Sequence, residues 1–427
     1  MPSETVTLAG HIIDSLTLPK VLDEIVNAGH GYRIVELNIG VRHDDTSFAR
    51  VEVTTGDEAS MTHLLDQLRV HGANPDTVED ARLAEADMDG ALPPGFYSST
   101  NLETEIRIDG RWLRVTHPEM DCGIVIEGNG ARTVAMGEIR KGMPVVMSGL
   151  GIRALPLERP RGDDREAFGF MSSDVSSEKP KGLMLDQVAQ QMRDVKASDK
   201  RILWVAGPAL VHTGTAPDIS ALIRAGYVNA FFAGNGVAAH DIESHMFGTS
   251  LGVHLDRGTP AEHGHEHHIR ALNEVRRHGS FKAAIDAGSF SDGVVYHLVK
   301  HDCDYLFGGS VRDDGPMPET VTDMMEVQRE LREIIWGPGG DDLVGYCIVV
   351  GTMLHGIATG NCLPASVPFV CVDINQATVT KLMDRGSWQS VGIITDLSLF
   401  VRALVERLAP EELNRESNAP LPNDHAY

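Results

Sequence analysis

The chain has 427 residues, of which 42% are hydrophobic and 23% charged, and its formal net charge at pH 7 is −24. Such a composition is typical of a globular protein with room for two or three domains. Nucleic acids and anionic membranes are bound by basic surfaces, so this acidic chain is expected to bind neither.

The cysteines and the N-terminus predict a cytoplasmic protein. No Cys-x-x-Cys pair is present, and the five cysteines are widely spaced: Cys122, Cys303, Cys347, Cys362 and Cys371. Four of them lie in or beside apolar runs, which favours buried free thiols over disulfides. The opening residues MPSETVTLAGHIID lack the regions of an export signal. No uncharged apolar run reaches the ~18 residues needed to span a bilayer.

Residues 1–90 are predicted to form a small α+β module. The segment TVTLAGHII indicates a strand, and LPKVLDEIVNAG indicates an amphipathic helix that stops at Gly29. Two strands follow in YRIVELNIG and SFARVEVTT, and a second helix in EASMTHLLDQLRVHG. An acidic passage that ends in Pro-Pro-Gly then closes the module.

Residues 91–182 are predicted to form an all-β, barrel-like subdomain. Asp109-Gly110 lies between two alternating runs, which is a strong hairpin signal, and Asn129-Gly130 is a second one. A small barrel and a sandwich both fit this pattern. The segment ends in a long polar loop of the kind that often carries function.

Residues 183–410 alternate strand and helix, and residues 411–427 are expected to be a flexible tail. Short, continuously apolar strands joined by helices predict a Rossmann-like parallel sheet covered on both faces. The expected strands are Ile202–Ala206, Val228–Ala233, Tyr305–Phe307, Tyr346–Val350, Phe369–Val372 and Val391–Ile394. The fold class is therefore α/β, with the Rossmann-like domain preceded by the α+β module and the all-β subdomain.

In a parallel sheet, ligands bind at the carboxyl ends of the strands. Glycine opens four of the loops there, where it lets a ligand approach the backbone. No Gly-x-Gly-x-x-Gly opens a helix after a strand, so a dinucleotide site would have to be built from several loops. Asp373 ends the fifth strand, and it fits either the acid that binds a ribose or an ordinary helix N-cap.

A histidine-rich stretch, AEHGHEHHIR, raises the question of a metal site. His263, His265, His267 and His268 have ligand chemistry, and two of them share a helical face. The sequence contains no His-Glu-x-x-His motif. We expect no metal, and we expect one or two of these histidines to contact substrate or a subunit interface.

Long motifs in a fixed order resemble one family, from about residue 8 to residue 408. They include GHIIDS (10–15), GIRALPLERPR (151–161), FMSSDVSSEKP (170–180), GPALVHTG (207–214), AGNGVAAHDIE (233–243), GTSLGV (248–253), GSVRDDGPMPE (309–319), TMLHGIATGNCLP (352–364) and CVDINQATVTKLMDRGS (371–387). The family is that of the lysine-oxoglutarate reductase/saccharopine dehydrogenase (LOR/SDH) conserved region. It includes archaeal-type ornithine cyclodeaminases and the C-terminal half of the cyanobacterial arginine dihydrolase/ornithine cyclodeaminase.

The sequence departs from the family pattern at two places. No residues remain for the guanidine-modifying domain of the cyanobacterial enzyme, so arginine dihydrolase activity is not expected. Gly236 stands where the family is expected to show alanine. Glycine is smaller and should leave room for a cofactor.

The resemblance implies an ornithine cyclodeaminase that converts L-ornithine to L-proline and ammonia with catalytic, recycled NAD. In that chemistry, oxidation at Cα first makes an electrophilic imine, which the δ-amine attacks within the same molecule. A homo-oligomer is expected, and its partner is the small amino-acid substrate. Two other activities stay open: a dehydrogenase or imine reductase with net turnover of NAD(H), and an NAD-binding regulator without catalysis.

The resemblance also implies roles for particular residues. The cofactor would be bound by Asp373 at the adenosine ribose and by Asp313 or Asp314 at the nicotinamide ribose. Its pyrophosphate would be bound by the backbone of Asn235 and Gly236 and by the loop Met353, Leu354, His355 and Gly356. The substrate carboxylate calls for an arginine, with Arg153 and Arg161 as candidates, and the δ-ammonium for a carboxylate, with Glu158 and Glu178. Proton transfer is assigned to one of four candidates: Asp121, Lys179, His240 and Asp314.

Overall fold

The computed structural model describes residues 1–13, 16–41, 45–155, 181–311, 316–385 and 390–416. The chain divides into two compact units. Unit 1 contains Met1–Ser173, Asn361–Ser366 and Ser387–Gln389, and unit 2 contains Asp174–Gly360, Val367–Gly386 and Ser390–Tyr427. Among the described helices, none combines the length and the apolar character needed to cross a membrane.

Unit 1 begins with the α+β module. Its elements are β1 (Ser3–Gly10), α1 (Thr17–Asn27), β2 (Gly31–Asn38), β3 (Ser47–Thr54), α2 (Glu58–Arg69) and β4 (Asn74–Pro75). The described residues form an antiparallel four-stranded sheet in the order β2-β3-β1-β4. The predicted succession of strand, helix, two strands and helix is confirmed.

The module is held together by one face of its sheet. Alternate side chains of β3, among them Val51 and Val53, are fully buried, as the alternating sequence predicted. They form one cluster with Val21 and Ile25 of α1 and with Leu64 of α2. Burial of each such side chain contributes roughly 1.5–3 kcal/mol to folding.

The second part of unit 1 is all-β, as predicted. Its strands are β5 (Leu83–Glu85), β6 (Glu103–Ile108), β7 (Arg111–Thr116), β8 (Gly123–Glu127), β9 (Gly130–Val134), β10 (Pro144–Val146) and β11 (Ile152–Leu155). In the described ranges they make one seven-stranded sheet, ordered β11-β6-β7-β9-β8-β10-β5. Only the β7–β9 pair within this sheet is parallel.

Both predicted hairpins are present, but the turn of the second lies one residue before its predicted position. Asp109 and Gly110 have φ of 49° and 75° and connect β6 to β7. Positive φ at both central residues is the turn that matches strand twist. In the second hairpin Glu127 pairs with Gly130, so the two-residue loop is Gly128-Asn129, one position before the predicted pair. Gly128 takes the positive φ, 58°, that the turn requires at its first position.

A buried arginine connects the two parts of unit 1. The Arg69 side chain, at the end of α2, is fully buried. Its guanidinium donates to the carbonyl oxygens of Gly149 and Ile152, just before and within β11, and pairs with the Asp66 carboxylate. A buried cation is stable only when its donors are satisfied, so this residue holds α2 against the second sheet.

Unit 2 contains a parallel sheet with helical connections. Its elements are α3 (Lys181–Ala197), β12 (Ile202–Ala206), α4 (Ala209–His212), α5 (Ala216–Arg224), β13 (Ala230–Gly234), α6 (Asn235–Phe247), β14 (Thr249–Ser250), β15 (Val253–His254), α7 (His267–His278), α8 (Phe281–Asp286), α9 (Val294–Lys300), β16 (Asp304–Gly308), β17 (Thr320–Val321), α10 (Met324–Trp336), β18 (Tyr346–Val350), α11 (Leu354–Cys362), β19 (Phe369–Asp373), α12 (Gln376–Arg385), β20 (Ser390–Ile394), α13 (Leu397–Leu408) and α14 (Pro410–Glu416).

The sheet order in the described residues is β17-β16-β13-β12-β18-β19-β20, with every pair parallel. All five residues of β12 and of β18 are buried, because helices cover both faces. The chain starts in the middle of the sheet, builds outward to one side and then returns to build the other side. This is the doubly wound Rossmann order, so the predicted fold class is confirmed.

The six predicted strands are present, with bounds that differ by at most two residues. One difference lies in the expected flexible tail, where Pro410–Glu416 form helix α14. Arg224 Nε lies 2.6 Å from Glu412 Oε2, and this ion pair fixes the helix to α5. The rest of that tail, and the long polar loop before α3, lie outside the described residues.

The turns after β12 and β18 approach one another closely. A Cβ atom added at Gly207 would lie 2.0 Å from the carbonyl oxygen of Gly351. The Gly207 amide donates to Val350 at 2.9 Å, and Gly351 itself has a φ of 60°. Because the obstacle is backbone, no side-chain rotation can relieve it, and glycine is required at Gly207.

We predict that G207A destabilises unit 2 by roughly 2–3 kcal/mol, because the added methyl forces the two central strands apart. The matched control is G182A, since no described residue lies within 4 Å of a Cβ at Gly182. The midpoint of urea unfolding, followed by far-UV circular dichroism, measures the difference. Equal midpoints for the two variants would contradict the proposed steric constraint.

Candidate functional site

The order of the strands in unit 2 reverses between β12 and β18. In doubly wound sheets, ligands bind in the crevice outside the carboxyl ends of the strands at this switch point. Here the crevice is bordered by Gly207 after β12 and by Gly351–Leu354 after β18. The loop after β13 and the end of β19 lie next to it on either side.

The predicted residues Asn235 and Gly236 begin helix α6, directly after β13. Asn235 is buried, and its Oδ1 accepts hydrogen bonds from the Met317 amide and the Thr320 hydroxyl, both at 2.9 Å. Its side-chain oxygen therefore holds the loop before β17. Among the described residues, no side chain caps the first turn of α6, whose N-cap is Gly234.

The predicted loop Met353–Gly356 leads into helix α11. Leu354 is 74% exposed, whereas the His355 ring packs 4.8 Å from the ring of Phe232. Burial lowers the pKa of the His355 imidazole, which favours its neutral form. A Cβ at Gly356 would lie 2.7 Å from Val349 Cγ1, so glycine lets α11 pack directly on β18.

The loops after β13 and β18 also touch each other. A Cβ at Gly234 would lie 3.1 Å from His355 Cε1. Two predicted cofactor loops thus meet at one edge of the sheet, as the sequence analysis expected from the carboxyl ends of neighbouring strands.

Asp373 ends β19, and its side chain has a structural contact. Its Oδ1 accepts a hydrogen bond from the Asn375 amide at 2.7 Å, in the turn before α12. Asn375 in turn accepts from the Ala377 amide at 2.9 Å and caps the helix. Asn375 is therefore the helix N-cap, and Asp373 Oδ1 stabilises the turn that leads to it. The carboxylate has a second oxygen, so this contact and ribose binding do not exclude one another.

His240, a predicted catalytic residue, belongs to a hydrogen-bonded network on α6. Its Nδ1 lies 2.8 Å from Oε2 of Glu243, one helical turn along, which is fully buried. The amides of Gly252 and Leu251 also donate to the Glu243 carboxylate, at 2.9 and 3.2 Å. Burial alone would raise the pKa of Glu243, but the hydrogen bonds, from His240 foremost, hold it below its ordinary value.

The protons of this network can be assigned. The Thr249 hydroxyl donates to Glu243 Oε1 at 2.9 Å, so its oxygen must accept from Nδ1 of His267 at 2.8 Å. Burial lowers the pKa of His267, and the imidazole is then neutral with its lone pair on Nε2. In the same way, His240 donates from Nδ1 to the Glu243 carboxylate, so Nε2 is the ring nitrogen that faces away from this hydrogen bond.

A third histidine lies beside this pair. The rings of His212 and His240 have centroids 4.8 Å apart, and His212 Nδ1 lies 2.7 Å from the hydroxyl of Ser250. Burial, followed by the charge of His240, lowers the pKa of His212. An imidazole oriented by a buried carboxylate is the arrangement that general bases use, so His240 has the geometry for accepting a proton at Nε2.

The histidine-rich stretch before and within α7 does not converge on one point. His265 is exposed, its ring centroid lies 6.5 Å from that of His263, and the ring of His267 stacks on Phe247 at 4.7 Å. Within the described ranges, no three His, Cys, Asp or Glu side chains are grouped so that they could hold a metal ion.

Arg153, the predicted carboxylate-binding residue, lies on β11 in unit 1. Its Nε donates to Glu105 at 2.5 Å, and its guanidinium stacks 4.1 Å above the ring of Trp112. Arg153 and Trp112 line a cleft of about 470 Å³ together with residues of β1 and β4. The guanidinium is therefore oriented by two neighbours and borders open space.

Asp121, another predicted proton-transfer residue, is also in unit 1. It is exposed, and its φ is 61°. Its Oδ2 accepts a hydrogen bond of 3.2 Å from the Asn361 side-chain amide, and the Met120 amide donates to the Asn361 carbonyl at 2.8 Å. The oxygen of that side-chain amide, Asn361 Oδ1, is buried and has no hydrogen-bond partner in the part of the chain that the structure describes.

Some predicted site residues lie outside the described residues, and some residues of the observed network were not predicted. The ones that lie outside the described residues are Glu158, Arg161, Glu178, Lys179, Asp313 and Asp314. Glu243 was missed, although its i, i+3 spacing from His240 on a helix is a visible signal. Thr249 and Asn361 had no such signal in the sequence, because their hydrogen bonds form only when the chain is folded.

The residues of unit 2 fit a dinucleotide. Gly207, Gly234 and Gly351 keep the strand ends open to backbone contact, and the first turn of α6 has amides that no side chain caps. Asp373 supplies an acid at the next strand end. NAD is therefore compatible with this sheet edge, with Asn235, Gly236, Met353–Gly356 and Asp373 as the residues that would hold it.

Three family models match consecutive parts of the chain. The LOR/SDH bifunctional enzyme conserved region matches residues 3–102. The first C-terminal region of arginine dihydrolase ArgZ-like proteins matches residues 103–185, and their C-terminal Rossmann fold matches residues 186–404.

Similar proteins are known from archaea and cyanobacteria. The chain is 45% identical over 410 residues to an ornithine cyclodeaminase of Methanothermobacter thermautotrophicus. The alignment covers 96% of this chain and 98% of that protein. The apo structure of ArgZ, a cyanobacterial arginine dihydrolase, superposes with a TM-score of 0.82 at 35% identity, and covers 97% of this chain and 59% of ArgZ.

A third similar structure contains ligands. The ternary complex of AgrE with ornithine and NAD⁺ matches with a TM-score of 0.52 at 36% identity, over 97% of this chain and 58% of AgrE. The sequence motifs, the fold and these likenesses agree. The chain belongs to the family of the LOR/SDH conserved region and the ArgZ-like C-terminal domains.

Proposed function

We propose that this protein is an NAD-dependent ornithine cyclodeaminase, which converts L-ornithine to L-proline and ammonia. The observation that carries the proposal is 45% identity to an archaeal ornithine cyclodeaminase over nearly the whole of both chains. The switch point of unit 2, with its glycine turns, supports it from the structure.

The reaction has no net redox change, since ornithine and the products proline and ammonia have the same oxidation level. When bound, NAD supplies a hydride acceptor at the start and a hydride donor at the end. The backbone at Asn235-Gly236 and Met353–Gly356 would bind its phosphates, and Asp373 its adenosine ribose. Glu243 is ionised and buried, and it would keep His240 oriented throughout.

His240 is the general base that the structure favours among the predicted candidates. Its Nδ1 proton is held by Glu243, so its Nε2 can accept a proton from a substrate amine. Arg153 remains our candidate for the substrate carboxylate, because Trp112 and Glu105 orient it at the border of a cleft. For Asp121, Glu158, Arg161, Glu178, Lys179, Asp313 and Asp314, the proposed roles rest on the family resemblance.

We further infer a cytoplasmic location and a homo-oligomeric assembly. All five cysteines are free thiols, and four of them are buried, which fits a reducing compartment. The assembly is considered below from an exposed strand of unit 1.

The first prediction concerns stoichiometry. Purified protein incubated with L-ornithine and NAD⁺ should release ammonia and proline in equal amounts, with no steady rise of absorbance at the NADH band. Accumulating NADH with a keto or imino product would place the protein among the dehydrogenases. Tight NAD binding without turnover of ornithine, lysine or diaminobutyrate would favour the regulator.

The second prediction tests Asp373 at the ribose. D373N keeps an oxygen that can accept from the Asn375 amide but loses the charge, so KM for NAD⁺ should rise roughly tenfold or more. The value of kcat at saturating NAD⁺ should change little. The matched control is D396N, because Asp396 caps α13 after the neighbouring strand and accepts from Ser398 and Leu399 amides. Equal KM values in the two variants would remove Asp373 from the cofactor site.

The third prediction tests His240 as the base. H240Q removes the acceptor at Nε2 and should lower kcat by roughly a hundredfold or more, with a smaller change in KM for ornithine. H245Q is the matched control on the same helix, where His245 hydrogen-bonds to Ser244 and to the Asp241 carbonyl. If both variants retain near-wild-type kcat, another residue is the base.

A further inference from the structure

Strand β2 is the outermost strand of the four-stranded sheet in unit 1, and all of its eight residues are exposed. Within the described residues, no strand pairs with its outer edge. The exposed fractions of its large apolar side chains are 41% for Tyr32, 41% for Ile34, 48% for Val35 and 40% for Leu37. Free edges of this length invite pairing with another chain unless proline, lysine or a covering element blocks them.

The pairing with β3 shows which face each β2 side chain occupies. Tyr32, Ile34 and Leu37 lie opposite Val53, Val51 and Ala49, so they continue the apolar face that the helices cover elsewhere. Arg33 and Glu36 lie opposite Glu52 and Arg50, on the other face. A β-bulge between Ile34 and Glu36 adds Val35 as an extra residue and shifts the alternation of side chains by one.

This bulge makes β2 complementary to itself. In an antiparallel pair, residues directly opposite each other project to the same face. A two-fold axis at Ile34, with Val35 as the extra residue of each copy, places Tyr32 opposite Leu37 of a second copy, both on the apolar face. The same axis places Arg33 opposite Glu36, both on the polar face, so that two opposite-charge pairs form across the axis.

The exposed area is of the size that an interface requires. Val26 of α1, 57% exposed, and Ile39 after β2, 56% exposed, extend the apolar surface beyond the strand. With roughly 150–200 Å² for a fully exposed large side chain, the six side chains leave on the order of 500 Å² of apolar surface. Unpaired backbone along eight residues would add to the area, toward the roughly 800 Å² per partner of a stable dimer.

We propose that a second copy of this chain binds at β2 in antiparallel register, so that the two four-stranded sheets become one continuous sheet across the two-fold axis. The inference is independent of the proposed reaction, because it uses no residue assigned to substrate or cofactor. It identifies the surface through which the expected homo-oligomer forms.

The proposal predicts that I34K disrupts the assembly. Ile34 lies at the axis, so the variant brings two ammonium groups together inside the interface and should raise the dimer dissociation constant by roughly a hundredfold or more. Sedimentation velocity across a concentration series measures the mass. The control V70K places the same charge on an exposed position at the end of α2, where Val70 is 44% exposed, and should leave the mass unchanged.

Cysteine cross-linking tests the register itself. R33C/E36C places each new thiol opposite its complement in the second copy, so mild oxidation should give a disulfide-linked dimer on a non-reducing gel. R33C and E36C alone, and the unaltered chain with its five native cysteines, should give little. Within one strand these positions are three residues apart, roughly 10 Å, too far for an intramolecular disulfide.

Three results would overturn the proposal. The first is a mass equal to one chain at every concentration. The second is I34K retaining the mass of the wild type while the circular dichroism spectrum shows that it is folded. The third is equal cross-linking by the single and double cysteine variants. A halved mass for I34K together with cross-linking specific to the double variant would establish the interface.

Discussion

The backbone contact between Gly207 and Gly351 is the constraint on which the architecture of unit 2 depends. The two central strands, β12 and β18, pair in parallel, and the chain leaves both at the same edge. The turns after β12 and β18 are so close that one methyl group would not fit between them. This closeness lets the two strands pair to their last residue. The same closeness brings the backbone of both turns to the edge of the crevice, where backbone amides can bind a phosphate.

Much of this fold could be predicted because its signals are local. Five-residue apolar runs such as Tyr346–Val350 identify buried strands, and Asp109-Gly110 identifies a hairpin, from a few neighbouring residues. The order of the strands is a property of the whole sheet, and the pattern alone did not show where it reverses. The strand order was therefore known only from the structure, because it depends on which distant strands pair.

The site was less predictable for a related reason. The sequence offered two roles for Asp373, ribose binding and helix N-cap, but Asn375 caps the helix and Asp373 stabilises the turn before it. The backbone of Asn235 was assigned to a cofactor, whereas the contacts of its side chain with Met317 and Thr320, more than 80 residues along the chain, were not predicted. Asp121 finds Asn361 at a separation of 240 residues. No periodicity encodes such contacts, because they arise only when distant segments pack together.

The burial of Arg69 has a consequence for how this architecture can evolve. Its positive charge is satisfied by two carbonyl groups that belong to the second sheet and by one carboxylate of its own helix. An excised α+β module would expose this arginine, and a transplanted one would bury it without its two carbonyl acceptors. Replacing either part therefore leaves a buried cation short of acceptors, which couples the α+β module to the second sheet.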